Sequence, residues 1–101
     1  MVISGKDYEL TPVSNESPHW DLRLMKTVKP RGGTPREELG DPMYGMPLSS
    51  AIARIIHYRA KKHFEGEETV KLADYIKVLQ MMDDQLRKEL REAKIVIEND
   101  L

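Results

Sequence analysis

Apolar residues alternate with polar ones early in the chain and later recur at helical spacing, a change of period that separates strands from helices. Residues 7–15 set Tyr8 and Leu10 against Glu9 and Thr11 before Pro12 intervenes. Proline has no amide hydrogen to give a ladder, so this strand belongs at a sheet edge or a bulge. Asn15 to Pro18 form a turn cluster, and beyond it Trp20, Leu22, Leu24 and Val28 fall on even positions with Asp21, Arg23, Met25 and Thr27 between them. The pattern predicts an antiparallel hairpin over 7–28, with Tyr8, Leu10, Trp20, Leu22 and Leu24 on its covered face.

Residues 29–46 are punctuated by Pro30, Gly32, Gly33, Pro35, Gly40, Pro42 and Gly45, which predicts a loop with room for a short third strand over Pro42 to Met46. A connection of this length inside a small domain is usually functional or disordered. From Pro47 onward, Leu48, Ala51, Ile52, Ile55, Ile56 and Arg59 keep helical spacing, predicting a first helix over 47–63 whose apolar stripe covers the hairpin. Lys61, Lys62 and His63 suit the negative end of its dipole, and Phe64-Glu65-Gly66 ends it.

A second, longer helix is predicted over 70–98, where no glycine or proline occurs. Leu72, Ile76, Leu79, Asp83, Leu86, Leu90, Ala93 and Ile97 follow alternating steps of four and three, the spacing of a coiled-coil seam. Asp83 is its polar member. Such a residue either sets register between helices or stays solvated, and the second reading is favoured because burying a carboxylate is costly. Asp83 with Arg87 and Asp84 with Lys88 add acid-to-base pairs at i,i+4, each contributing about 0.2–0.5 kcal/mol.

At 1.5 Å per residue the second helix would run about 42 Å and the first about 25 Å. If the two pair as a hairpin through a short link at Gly66, the stretch from Leu86 to Ile97 outruns its intrachain partner. Leu79, Leu86, Leu90 and Ile97 are therefore the expected contacts of a homo-oligomer, a dimer or higher.

Taken together, the pattern describes one α+β domain over 1–101: an N-terminal hairpin packed on a helix, a Gly/Pro-rich segment, and a long C-terminal amphipathic helix. The length allows a single core. The absence of cysteine removes disulfides and thiolate metal sites and allows a reducing compartment. The first residues lack the basic and apolar pattern of a secretory signal, so no export is expected. No run of about 18 apolar residues occurs, and Ile52 to Ile56 is broken by Arg54, so no membrane contact is expected.

The net charge of −1 conceals an asymmetry, with ten Lys/Arg against seven Asp/Glu in residues 1–63 and six against ten in 64–101. The basic residues concentrate where Arg23, Lys26, Lys29, Arg31 and Arg36 flank Gly32-Gly33, a composition that suits phosphate contact with nucleic acid. No Gly-Lys-Ser/Thr follows, so this is not a nucleotide-binding loop, and a solvated loop is the default. Arg54, His57, Tyr58, Lys61 and Lys62 give the first helix a basic face, for which simple solvation is again the default. His57 and His63 stand six positions apart and do not share a helix face as a metal pair would. No cysteine nucleophile, Gly-x-Ser-x-Gly elbow or His-Glu-x-x-His pair is present, so no catalytic residue, metal or cofactor is expected.

The strand at Tyr8-Glu9-Leu10, the strand from Trp20 to Leu24, the run from Tyr44 to Arg59 and the segment Val70 to Ile76 together resemble the layout of small phage and prophage accessory proteins. The resemblance implies a cytoplasmic, host-associated binding role and assigns no functional residue. Three expectations follow: a self-associating, non-enzymatic protein-interaction module; a nucleic-acid binder using the basic 23–36 segment; and an inhibitor that docks on a host enzyme through the Gly/Pro-rich loop.

Overall fold

The computed structural model describes residues 1–92 and has an α+β fold, with five antiparallel strands followed by two helices. The chain divides into two compact units, residues 1–51 and 52–101.

The first unit is organised by one long strand. β1 (Ile3–Ser4), β2 (Tyr8–Pro12) and β3 (His19–Val28) form a meander, and β4 (Arg36–Leu39) and β5 (Met43–Pro47) both pair with β3 on its other edge. β3 is long enough to serve two strands: β5 lies along His19 to Leu22 and β4 along Met25 to Val28. The predicted hairpin is present, in the register Tyr8↔Leu24, Leu10↔Leu22 and Pro12↔Trp20, so the five apolar residues share a face as the alternation requires. Ile3, Leu10, Leu22 and Met43 form a continuous cross-strand row, and Leu10 and Leu22 are fully buried. Cross-strand pairs of this kind contribute about 0.2–1 kcal/mol each relative to a pair of alanines.

The expected 29–46 loop is corrected: only 29–35 and 40–42 lie outside strands, and the third strand expected near Pro42 to Met46 is β5. Glycine and proline here mark turns and bulges on an edge strand, where a missing amide or an irregular step is tolerated. The Gly40 amide still donates to the Leu24 carbonyl at 2.8 Å. Met43 then faces Leu22 and Met46 faces Trp20, so the edge takes three steps against two on β3, twice in succession. At the second bulge Gly45 has φ +63, a conformation that disfavours any residue with a Cβ. Its displaced amide donates to Asp21 Oδ1 at 2.9 Å, which replaces the ladder bond lost at the bulge.

The second unit holds most of α1 (Leu48–His63) and all of α2 (Leu72–Glu92). Ala51, Ile52, Ile55, Arg59 and Ala60 are the buried positions of α1, as the helical spacing predicts. The eight residues 64–71 link the helices, and the Lys71 carbonyl accepts the amides of Asp74 and Tyr75 to open α2. Side-chain ties join the helices. Arg59, 6% exposed, grips Glu89 with both terminal nitrogens at 2.7 and 3.3 Å, and His57 Nδ1 lies 3.2 Å from the Tyr75 hydroxyl. A forked arginine–carboxylate contact carries directional as well as electrostatic preference, which suits a residue that must stay charged while buried. The predicted extension of α2 over 93–98, with Ala93 and Ile97, lies outside the described residues.

Candidate functional site

The apolar seam of α2 is buried at the opposite end from the one the length arithmetic leaves open. Leu86 and Leu90 are 0% and 1% exposed, whereas Leu72 and Ile76 are 72% and 45% exposed. Leu86 and Leu90 are therefore core residues, and their expected role as oligomer contacts is corrected. The arithmetic assumed a short link at Gly66 and helices paired end to end from there. The link instead spans 64–71, and Arg59 holds Glu89, thirty positions further along the chain, so the later part of α2 is drawn in; in its opening half Val78 is buried and Tyr75 meets His57, while Leu72 and Ile76 stay exposed. Leu79 stands between, half-buried, and Ile97 lies outside the described residues.

Next to this uncovered end is a shallow groove of about 250 Å³ lined by Ala53, Ile56 and His57 from α1 and Leu79, Gln80 and Asp83 from α2. Its floor is aliphatic. Asp83 at the rim is ion-paired with Arg87 at 2.9 Å and remains about a third exposed, in keeping with a seam position left solvated. A wider hollow of about 430 Å³ lies at the link, lined by Phe64, Glu67, Thr69, Val70, Lys71 and Asp74. Phe64 and Tyr75 stack obliquely with ring centres 6.1 Å apart, and His63 meets Phe64 edge-on at 4.9 Å. Leu72, Ile76, Leu79 and Ile56 thus form an apolar band with aromatic rings at one end. All of these residues appear in the sequence pattern, but nothing in their spacing distinguishes the open end of the seam from the closed one.

The basic residues of 23–36 separate into two groups. Arg23 donates from Nε to the Gly40 carbonyl at 2.9 Å and lies 4.0 Å from Glu9, so it braces the first bulge of the sheet edge. It is not part of a common patch, because odd and even positions of β3 point to opposite faces. Lys26, Lys29, Arg31 and Arg36 are all exposed and lie on the β3–β4 hairpin or its tip. On α1, Lys62 lies 5.7 Å from the centre of the Tyr58 ring and 3.4 Å from its hydroxyl.

Among the described residues, no group of three or more His, Cys, Asp or Glu side chains is arranged to hold a metal ion, and no helix is long and apolar enough to cross a membrane. Compared with known proteins, the chain matches no family model, no curated protein and no solved structure.

Proposed function

We propose that this chain is a small non-enzymatic interaction module that self-associates through the opening half of α2. The observation that carries the reading is the exposure of Leu72 and Ile76, 72% and 45%, on a seam whose later members are buried. An apolar stripe that is half closed by its own chain and half open has one obvious further use, which is to be covered by another copy. Leu79, Ile56 and Ala53 supply the adjoining groove.

Covering such a side chain is worth about 1–2 kcal/mol, so a two-fold contact joining four of them gains roughly 4–8 kcal/mol before the groove is counted. Loss of translational and rotational freedom costs a similar amount, about 4–15 kcal/mol. A dimer populated at high micromolar concentration needs about 4–5 kcal/mol net, which the stripe and the groove together supply only where the cost is at its low end, so the contact is weak. The resemblance to phage and prophage accessory proteins, and with it a cytoplasmic setting and a host protein as a further partner, belongs to the same reading.

Multi-angle light scattering on the 11.7 kDa chain should give a mass that rises with concentration, and Leu72→Glu with Ile76→Glu should hold it at the monomer value. A wild-type chain that stays at 11.7 kDa up to several hundred micromolar would sink the reading.

A further inference from the structure

Past Leu24, β3 leaves β2 behind. The Met25 amide makes one last bond, to the Asp7 carbonyl at 2.9 Å, and from Lys26 to Val28 the only strand paired with β3 among the described residues is β4. The result is a two-stranded ribbon, Met25–Val28 against Arg36–Leu39, closed by the seven residues 29–35. Four paired residues extend it by about 13 Å. Every residue from 29 to 37 is exposed.

The tip has a defined shape. Gly33 N donates to the Pro30 carbonyl at 3.1 Å, and Gly32 at the third position of this turn has φ +67, the geometry of a type II turn with Arg31 at its corner. Pro30 and Pro35 flank the turn and stiffen its approach.

Charge on this ribbon runs against that of the chain. Residues 26–38 carry Lys26, Lys29, Arg31 and Arg36 against Glu37 and Glu38, while the whole protein is −1. Arg36 sits 3.5 Å from Glu38, the residue opposite Lys26. Lys26, Lys29 and Arg31 have no ion pair among the described residues. The base of the ribbon is balanced and its tip is not.

We propose that the β3–β4 ribbon is an arm that binds duplex DNA through its phosphates, with Lys29 and Arg31 as the principal contacts and Lys26 and Arg36 behind them. A two-stranded ribbon fits the major groove, which is about 12 Å wide, whereas the deep groove of duplex RNA is too narrow to admit it. The tip lacks the aromatic or large aliphatic anchors that dominate protein–protein contacts, so an acidic protein is the poorer match. Gly32 and Gly33 carry no side chain and let the backbone come close to a phosphate. Because the contacts proposed are to phosphates, binding is of the sequence-independent kind, with dissociation constants around 10⁻⁴–10⁻⁶ M.

The test is fluorescence anisotropy of a labelled 20-base-pair DNA with the full chain. Release of counterions from three to four phosphates predicts that affinity falls roughly 40- to 150-fold between 50 and 200 mM salt. Lys29→Glu with Arg31→Glu should abolish binding at 50 mM salt. Lys77→Glu with Lys88→Glu, the same change of net charge made outside the ribbon, should leave affinity within about threefold, because net charge alone places no cation on a phosphate. Both variants lie at exposed positions, and circular dichroism identical to wild type will confirm that they fold. The proposal is overturned if the wild type shows no anisotropy change at 100 µM protein and 50 mM salt, if the two variants lose affinity equally, or if poly-glutamate or duplex RNA binds as tightly as the DNA.

Discussion

The reversal along α2 makes a sharp prediction, because Leu72 and Leu86 are chemically identical members of one seam and differ in exposure by 72% against 0%. Leu86→Ala removes buried carbons and leaves a cavity, at a cost of about 3–5 kcal/mol. Leu72→Ala removes atoms already largely in water, so its effect should stay within about 0.5 kcal/mol. The total stability of a domain this size is about 5–15 kcal/mol, so the first substitution consumes a large share of it. Near the midpoint each kcal/mol lowers Tm by about 4–8 °C, giving a fall on the order of 15 °C or more. Urea titration followed by far-ultraviolet circular dichroism, at low micromolar protein so that association does not add to stability, should show a large midpoint shift for Leu86→Ala. It should show almost none for Leu72→Ala, and the slope should be unchanged in both. Equal midpoints for the two variants, or a Leu86→Ala protein as stable as wild type, would mean that the closed and open ends of the seam have been assigned wrongly.

Two further substitutions probe the packing of the separate units. Gly5→Ala should destabilise by about 1–3 kcal/mol, because its Cβ would be driven into the ring of Tyr8, which is 3% exposed and has no room to turn away; a thermal melt within 2 °C of wild type would refute this. Glu89→Ala strips both forked bonds from the buried Arg59 and should cost about 2–3 kcal/mol, at the low end for a buried pair because Glu89 is itself about a third exposed; Glu89→Gln, which keeps an acceptor, should lose less, and the reverse order in urea melts would contradict the role given to the carboxylate.

The hairpin was legible because alternation and a turn cluster pointed the same way at Tyr8 to Val28, but the edge position read from Pro12 is corrected: β2 lies between β1 and β3, with Pro12 beyond the two residues that β1 pairs. The helices were legible from spacing. β4 was not, because Arg36-Glu37-Glu38-Leu39 carries none of the apolar alternation that marks a half-buried strand. Its pairing is imposed by β3, which is long enough to offer a free edge, and charge on such a strand discourages pairing with other molecules. β5 was half hidden by its own bulge residues, since glycine and proline signal a break in local sequence whether the chain stops pairing or merely slips a step. The candidate sites divide on the same principle. The cationic residues of 23–36 are plain in the sequence, yet only the strand register separates Arg23, turned to the sheet edge, from Lys29 and Arg31 at the tip. Likewise, the seam of α2 was visible as a whole, while the choice of its buried end depended on Arg59 and Glu89 meeting across thirty positions, a contact with no local signature.

The bulged edge also bears on how this chain can change in length. Between Gly40 and Met46 it holds two more residues than a straight ladder along β3 would use. Excising Gly45 would set Met43, Tyr44 and Met46 opposite Leu22, Asp21 and Trp20 in unbroken alternation, so both methionines would keep the side they now occupy. Within a regular paired stretch such as Glu9 to Thr11, losing one residue turns over every side chain beyond it and puts leucines into water. Tolerance to deletion is thus concentrated at this border, and descendants of the sequence that shed a residue from the sheet should have shed it between Gly40 and Met46.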